Sequence, residues 1–228
     1  MSLFVNGFRV APSKTHLPAN VKQEWTYQIH DDNGDTVLEF DETHDRLAHL
    51  ILVRRDLTQF QHLHPQLNAD GTWAVEFELP EAGVYRAFVD VLVNDHPTTL
   101  GTDLFVSGDA TYEIQPASTH EDSDGKYTVV MSPEEMYANT ETTVEFSVLR
   151  DDSTVQLEPY LGALGHLVAL RAGDLAYLHV HPEETDPEDG LVRFGVRFPT
   201  VGHYRLFLQA KPAGELITTA FDVYVNRN

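Results

Sequence analysis

Hydrophobic and polar residues alternate in short runs along most of the chain, and turn-forming residues separate the runs. The runs are rich in Val, Thr, Phe and Tyr, whereas Asp, Asn, Gly and Pro fill the intervals, which is typical of short β-strands joined by turns. In the first half this pattern predicts strands at Phe4–Val10, Trp25–His30, Leu47–Arg54, Gln59–His64, Trp73–Glu78, Val84–Val91 and Leu100–Val106.

The second half of the chain repeats the first. Leu47–Arg54 matches Leu164–Arg171, and Leu79–Phe88 matches Phe198–Phe207. A repeat of this length is a duplicated domain of ordinary size. About seven short strands per repeat favour an all-β fold of two tandem immunoglobulin-like or cupredoxin-like β-sandwich domains. We expect repeat 1 at 1–108, a polar linker at 109–124 and repeat 2 at 125–228.

Two tyrosines support the immunoglobulin-like prediction. Tyr85 and Tyr204 occupy equivalent positions, two residues after a matched glycine. In that fold a tyrosine at the start of a late strand donates a hydrogen bond to backbone a few residues upstream. We therefore expect both tyrosines to be structural.

A histidine pattern, His-x12-His-x-His-Pro, occurs once in each repeat. The chain has 12 histidines, and the six outside the pattern have no counterpart in the opposite repeat. Histidine is the commonest metal ligand, and selective retention of the patterned residues favours metal binding over a purely structural role. The candidate ligands are His49, His62, His64, His166, His179 and His181.

Hairpin geometry brings each set of histidines together. A four-residue loop at 54–57 places His49 opposite His62, and His64 then lies on the same face of the sheet. A loop shifted by one residue on each side pairs His49 with His64 instead, and the three imidazoles remain neighbours. In the second repeat, a loop at 171–174 gives the same pairing of His166 with His179.

Three imidazoles without sulfur suit Zn(II) or Cu(II) and do not choose between them. They leave a position for water, a further side chain or a substrate. Because neutral imidazoles are required, we expect affinity to fall below about pH 6.5. The candidate fourth ligands are Asp90, which aligns with Gln209, and Asp41, His44 and Glu158 near the hairpins.

Composition excludes several other functions. The formal net charge of −21 argues against nucleic acid or an anionic membrane as a partner. With no cysteine, the chain has no disulfide, thiol nucleophile, iron–sulfur cluster or blue-copper site. No apolar run is long enough to insert into a membrane. The first residues lack the features of a secretory signal peptide, which fits a cytoplasmic protein or a secreted one without its leader.

The stretch 157–182, which carries the second histidine motif, and the stretch 50–65, which carries the His-x-His-Pro of the first, resemble segments of uncharacterised bacterial proteins with tandem β-sandwiches, mostly secreted or membrane-anchored. The resemblance covers most of both repeats. It implies handling of copper or another heavy metal outside the cytoplasm, with the six patterned histidines facing the metal. We further expect another metal-handling protein as a partner. A cytoplasmic location stays open.

The sequence therefore predicts a metal-binding protein that carries, buffers or senses Cu(II) or Zn(II) without catalysis. One alternative is a structural or adhesive immunoglobulin-like module in which the histidines only form hydrogen bonds. Another is a metalloenzyme that uses the open coordination position. No nucleophile elbow, phosphate loop or His-Glu-x-x-His motif is present, so no catalytic residue is predicted.

Overall fold

A computed structural model shows an all-β protein that divides into two compact units, 1–114 and 115–228. It describes residues 5–113, 117–178, 180–183 and 185–228, with the side chain of His181 excepted. Each unit contains two sheets whose inner faces share one hydrophobic core, so the predicted pair of β-sandwich domains is confirmed. The predicted linker, 109–124, spans the division between the units, and its last four residues form a strand.

The first domain has a four-stranded and a five-stranded sheet. Their strand orders are β1-β3-β7-β6 and β2-β9-β8-β4-β5, and every pair is antiparallel except β2 with β9. The strands are β1 (Arg9–Pro12), β2 (His16–Leu17), β3 (Gln23–His30), β4 (Ala48–Arg54), β5 (Gln61–Leu63), β6 (Gln66–Leu67), β7 (Trp73–Phe77), β8 (Gly83–Val93) and β9 (His96–Val106).

The second domain has the same plan with additional edge strands. Its sheets run β10-β11-β13-β18-β17, with β14 on β13, and β12-β20-β19-β15-β16. The elements are β10 (Glu121–Asp124), β11 (Tyr127–Ser132), β12 (Met136–Tyr137), β13 (Glu141–Arg150), β14 (Ser153–Thr154), β15 (Gly165–Arg171), β16 (Tyr177–Leu178), β17 (His181–Glu183), a 3₁₀ helix (Pro187–Asp189), β18 (Leu191–Arg197), β19 (Gly202–Ala210) and β20 (Ile217–Asn226).

The first predicted strand begins later than expected. Phe4 lies outside the described residues, and Asn6 and Gly7 form a tight turn with positive φ. The turn is closed by reciprocal backbone hydrogen bonds of 3.0 and 2.9 Å between Val5 and Phe8. Asn-Gly is a turn sequence, so the strand starts only at Arg9. The residues on either side of the turn have the alternation of a strand, which explains the earlier predicted start.

Strand β4 shows how the sandwich positions the histidine motif. Ala48, Leu50 and Leu52 belong to the buried core of the first domain. Because side chains alternate across a strand, His49 lies on the outer face of this sheet. Every residue of β4 is paired with a residue of the neighbouring strand β8, which fixes the position of β4 in the sheet.

The β4–β5 hairpin adopts the alternative register. Leu50 pairs with Leu63 and Ile51 with His62, so the prediction that His49 lies opposite His62 is wrong. The loop is shifted by one residue on each side and is closed by the Arg54 amide, which donates to the Thr58 carbonyl at 2.9 Å. The β15–β16 hairpin has the same shift, since Ala169 pairs with Leu178.

Both predicted tyrosine corners are present. The Tyr85 hydroxyl donates to the Glu81 carbonyl at 2.9 Å, and the Tyr204 hydroxyl donates to the Thr200 carbonyl at 3.1 Å. Each tyrosine is buried. These bonds fix the loop that enters β8 or β19, which is the role of this feature in immunoglobulin-like sandwiches.

Side chains near the start of the second domain cover the edge of β20. Asp124, Asp122 and Thr119 accept hydrogen bonds of 2.9, 2.7 and 3.0 Å from backbone amides of that strand. The donors, Thr218, Ala220 and Asp222, alternate along β20 and point to the same edge.

Within the described ranges, the structure has no helix with the length and apolar content needed to cross a bilayer.

Candidate metal centre

Three histidines meet on the outer face of the β4–β5 hairpin. One ring nitrogen from each of His49, His62 and His64 lies within 4.8 Å of the other two. The ring centroid of His49 is 5.2 Å from that of His62 and 5.2 Å from that of His64, and the remaining pair is 4.9 Å apart. His49 is buried and the other two are half-buried. This cluster has the composition of a three-imidazole metal site.

A change of sheet brings the third histidine into place. Strand β5 ends at Leu63 in one sheet and β6 begins at Gln66 in the other. His64 therefore lies where the chain crosses between sheets, and Pro65 follows it. Proline has no amide hydrogen to donate to a ladder, which suits the end of a strand.

Hydrogen bonding determines which nitrogen of His49 carries the proton. Its Nε2 lies 3.1 Å from the carbonyl oxygen of Thr43. A carbonyl oxygen only accepts, so Nε2 is the donor and Nδ1 carries the lone pair of the neutral ring. That Nδ1 lies 3.0 Å from Nε2 of His62. Two nitrogens bonded to one ion at about 2.0–2.1 Å lie about 2.8–3.4 Å apart at right-angle to tetrahedral bond angles.

The candidate fourth ligands are not part of the cluster. Asp90 is paired directly opposite His49 across β4 and β8, and its Oδ1 accepts a 2.9 Å hydrogen bond from Thr99. The ring of His44 is 6.0 Å from that of His49. Among the described residues, the group with metal-binding geometry contains only the three histidines. The carboxylate of Asp41 instead accepts from the Asp95 amide at 3.2 Å.

A cleft with two carboxylates adjoins the cluster at His64. His64 lines this cleft, whose volume is about 440 Å³, together with Glu24 and Glu76. The two glutamates are paired directly opposite each other on β3 and β7, and Glu76 also contacts Lys22 at 2.8 Å. Carboxylates that line a cleft raise the local concentration of cations.

The second set of histidines is described in part. His166 lies on β15 opposite Gln209, and its Nε2 is 2.8 Å from the Tyr160 carbonyl oxygen. His179 lies outside the described residues. Only the backbone of His181 is described, where it begins β17 and pairs with Gly195. Of the fourth-ligand candidates, Glu158 faces Lys211 at 3.5 Å.

Sequence reasoning missed the carbonyl oxygens that bind these histidine rings. Thr43 and Tyr160 occupy equivalent positions, six residues before His49 and His166 respectively. Backbone atoms leave no direct trace in a sequence. Gly162, within the turn after Tyr160, was the one signal for a tight turn before the hairpin.

The family model described as "Domain of unknown function (DUF8832)" matches residues 4–108 and 120–227. Comparison with curated proteins gives no significant match. Similar solved structures include the Escherichia coli adhesin FdeC, with 15% identity and a TM-score of 0.32, covering 96% of this chain and 64% of that one. Another is invasin, a bacterial integrin-binding protein, with 13% identity and a TM-score of 0.29, covering 97% and 39%.

A titin fragment, A168169, is also similar, with 10% identity and a TM-score of 0.26, covering 97% of each chain. The present chain thus spans less than two thirds of the length of the adhesin and invasin chains that it matches.

Proposed function

The chain belongs to the DUF8832 family, and we propose that it is a metal-binding protein that holds Cu(II) or Zn(II) through three histidines in each domain. The observation that carries the proposal is the convergence of ring nitrogens from His49, His62 and His64 within 4.8 Å. All three are neutral nitrogen ligands of the kind that both ions accept.

The orientation of His49 supports the proposal independently of the distances. In metal sites, a ligating histidine almost always donates its other ring N–H to a carboxylate, a carbonyl or water. His49 makes this bond to Thr43, and His166 makes it to Tyr160. We propose that His166, His179 and His181 form the equivalent site of the second domain.

The site is proposed to carry, buffer or sense metal rather than to catalyse a reaction. Three protein ligands leave a coordination position through which an ion can be passed to another metal-handling protein. The cleft beside His64 supplies access for such an exchange. Following the resemblance of the histidine segments, we propose that this takes place outside the cytoplasm.

The direct test is isothermal titration of the metal-free full chain with Cu(II) and, separately, with Zn(II). We expect two sites per chain with micromolar affinity or tighter. The double variant His62→Ala/His179→Ala should lose both sites while keeping its circular dichroism spectrum and thermal unfolding. His96→Ala is the matched control, because His96 is exposed and lies outside both motifs, and it should bind as the wild type does.

Two results would contradict the proposal. One is a wild-type chain that binds neither ion, and the other is a double variant that binds as tightly as the wild type. Either would favour a structural or adhesive module in which the motif histidines only form hydrogen bonds. Turnover that depends on the bound ion would instead favour the metalloenzyme.

A further inference from the structure

The carbonyl oxygen that receives the His49 N–H belongs to a two-residue hairpin turn. The Thr43 amide donates to the Arg46 carbonyl at 2.8 Å, and the Arg46 amide donates to the Thr43 carbonyl at 3.1 Å. The two central residues, His44 and Asp45, have φ values of 49° and 57°. Positive φ at both positions is the signature of a type I′ turn, which fixes the direction of its first carbonyl.

The same turn occurs in the second domain with a different sequence. Reciprocal bonds of 2.7 and 3.2 Å join Tyr160 and Ala163, and Leu161 and Gly162 have φ values of 52° and 77°. The Tyr160 carbonyl accepts from Nε2 of His166 at 2.8 Å. The turn, its carbonyl and the histidine have thus been kept together, although the side chains in the turn have changed.

In both domains one carbonyl oxygen serves two donors. The Thr43 carbonyl oxygen accepts from the Arg46 amide and from Nε2 of His49. These two bonds use both lone pairs of the oxygen. The ring is consequently held with Nε2 facing the turn. In the first domain Nδ1 faces His62, the next ring of the cluster.

We propose that these two turns are positioning elements that preset Nδ1 as the metal-binding atom of His49 and of His166. The inference rests on the proposed function and adds the identity of the ligand atom and of the group that selects it. Nδ1 is bonded to Cγ, the ring atom that carries Cβ, whereas Nε2 lies at the far side of the ring. Ligation through Nδ1 therefore holds the ion closer to the sheet than ligation through Nε2.

Nuclear magnetic resonance of the full chain with ¹⁵N-labelled histidine tests the ligand atom. Long-range ¹H–¹⁵N correlations distinguish the two neutral tautomers, and His49→Gln and His166→Gln variants assign the signals. In the metal-free protein we expect both rings to carry the proton on Nε2. On addition of Zn(II), the Nδ1 signals should shift while the Nε2 protons remain.

A pair of turn variants tests the positioning role. Asp45 is exposed, and both Asp45→Gly and Asp45→Val remove its carboxylate. Glycine accepts positive φ at no steric cost, so Asp45→Gly should keep the Zn(II) dissociation constant within about twofold. Valine disfavours that conformation, so Asp45→Val should weaken the first site by about 10–100-fold. Titrations are made in a His166→Ala background, which isolates the first site.

The outcomes separate this inference from the proposed function. A proton on Nδ1 in the metal-free protein, Zn(II) ligation through Nε2, or equal affinities of the two Asp45 variants would overturn the role of the turn while metal binding stands. Imidazole signals of the wild type that respond to neither Zn(II) nor Cu(II) would overturn the proposed function itself, and ligation through Nδ1 with it.

Discussion

The two domains descend from one sequence, and they have kept some neighbours of the motif histidines and replaced others. Each retains the type I′ turn whose carbonyl binds the first histidine of the motif. The residue opposite that histidine differs, because Asp90 faces His49 whereas Gln209 faces His166. The two domains therefore share the orientation of the first motif histidine but differ in the charge of the residue opposite it.

The change of sheet beside the motif also differs. In the first domain the chain enters the four-stranded sheet at Gln66, two residues after His64. In the second domain β17 already begins at His181, the equivalent of His64. The third motif histidine therefore lies between strands in one domain and within a ladder in the other.

The largest expected difference between the domains concerns a buried ion pair. In the first domain, the Arg54 and Asp56 side chains are 2% and 4% exposed, whereas those of Arg171 and Asp174 are 28% and 54% exposed. Arg54→Met leaves a buried carboxylate without its ion-pair partner and should lower the free energy of unfolding by about 3–5 kcal/mol. Arg171→Met should cost about 1 kcal/mol or less.

Denaturant titration measures the two losses separately. Both tryptophans of the chain, Trp25 and Trp73, lie in the core of the first domain, so their fluorescence follows that domain, and circular dichroism follows both. Equal losses in the two domains would show that burial does not distinguish these ion pairs.

A smaller difference is expected in metal affinity. A carboxylate one strand away from the cluster attracts a divalent ion, and a carboxamide does not. Asp90→Asn should weaken the first site about tenfold, or about 1.4 kcal/mol, and Gln209→Glu should strengthen the second by a similar factor. Titration calorimetry with Zn(II) measures both. Asp95→Asn, at an exposed turn, should leave both sites unchanged, and an effect of equal size there would remove the distinction.

The smallest expected effect is a dependence of stability on pH. Hydrogen bonds from Arg171 lower the pKa of Asp174 to about 2 from its ordinary 3.8. A lowered folded-state pKa stabilises the domain above about pH 3.8, and this contribution is lost as the pH falls toward 2. Because Asp174 is half-exposed, Asp174→Asn should cost at most about 1 kcal/mol at pH 5 and less than half of that at pH 2.

Asp56 provides the comparison in the first domain. Burial alone would raise the pKa of Asp56, but hydrogen bonds from Arg54, the Glu113 amide and Thr58 outweigh it and lower the pKa. Asp56→Asn should therefore show the same sign of pH dependence as Asp174→Asn. Unfolding free energies of both variants between pH 5 and 2 test this, and a variant penalty that grows toward pH 2 would contradict it.

The sequence predicted the sandwich and the convergence of the first triad because both depend on side-chain periodicity. Leu50 and Leu52 had to face a core, so His49 had to face away from it. The hairpin register depended instead on the loop. Leu57 and Gln59 adopt positive φ, at 64° and 55°, and neither residue type signals such a conformation.

The turn before each hairpin was beyond prediction for a similar reason. His44-Asp45 is not a usual type I′ sequence, whereas Leu161-Gly162 places glycine at one of the two positive-φ positions. Comparing the repeats at this point would have located the turn. The carbonyl that the turn presents belongs to the backbone, so only the folded chain reveals that it faces a histidine ring.

The covered edge of β20 has a consequence for self-association. An uncovered edge strand offers alternate amides and carbonyls to which a strand from another molecule can add, and this is how sheets grow into aggregates. Thr218, Ala220 and Asp222 already donate their amides to side chains of the same chain. An incoming strand would have to displace these three bonds, and the carboxylates of Asp122 and Asp124 would repel other acidic molecules. This part of the edge is therefore protected against the addition of a strand from another molecule.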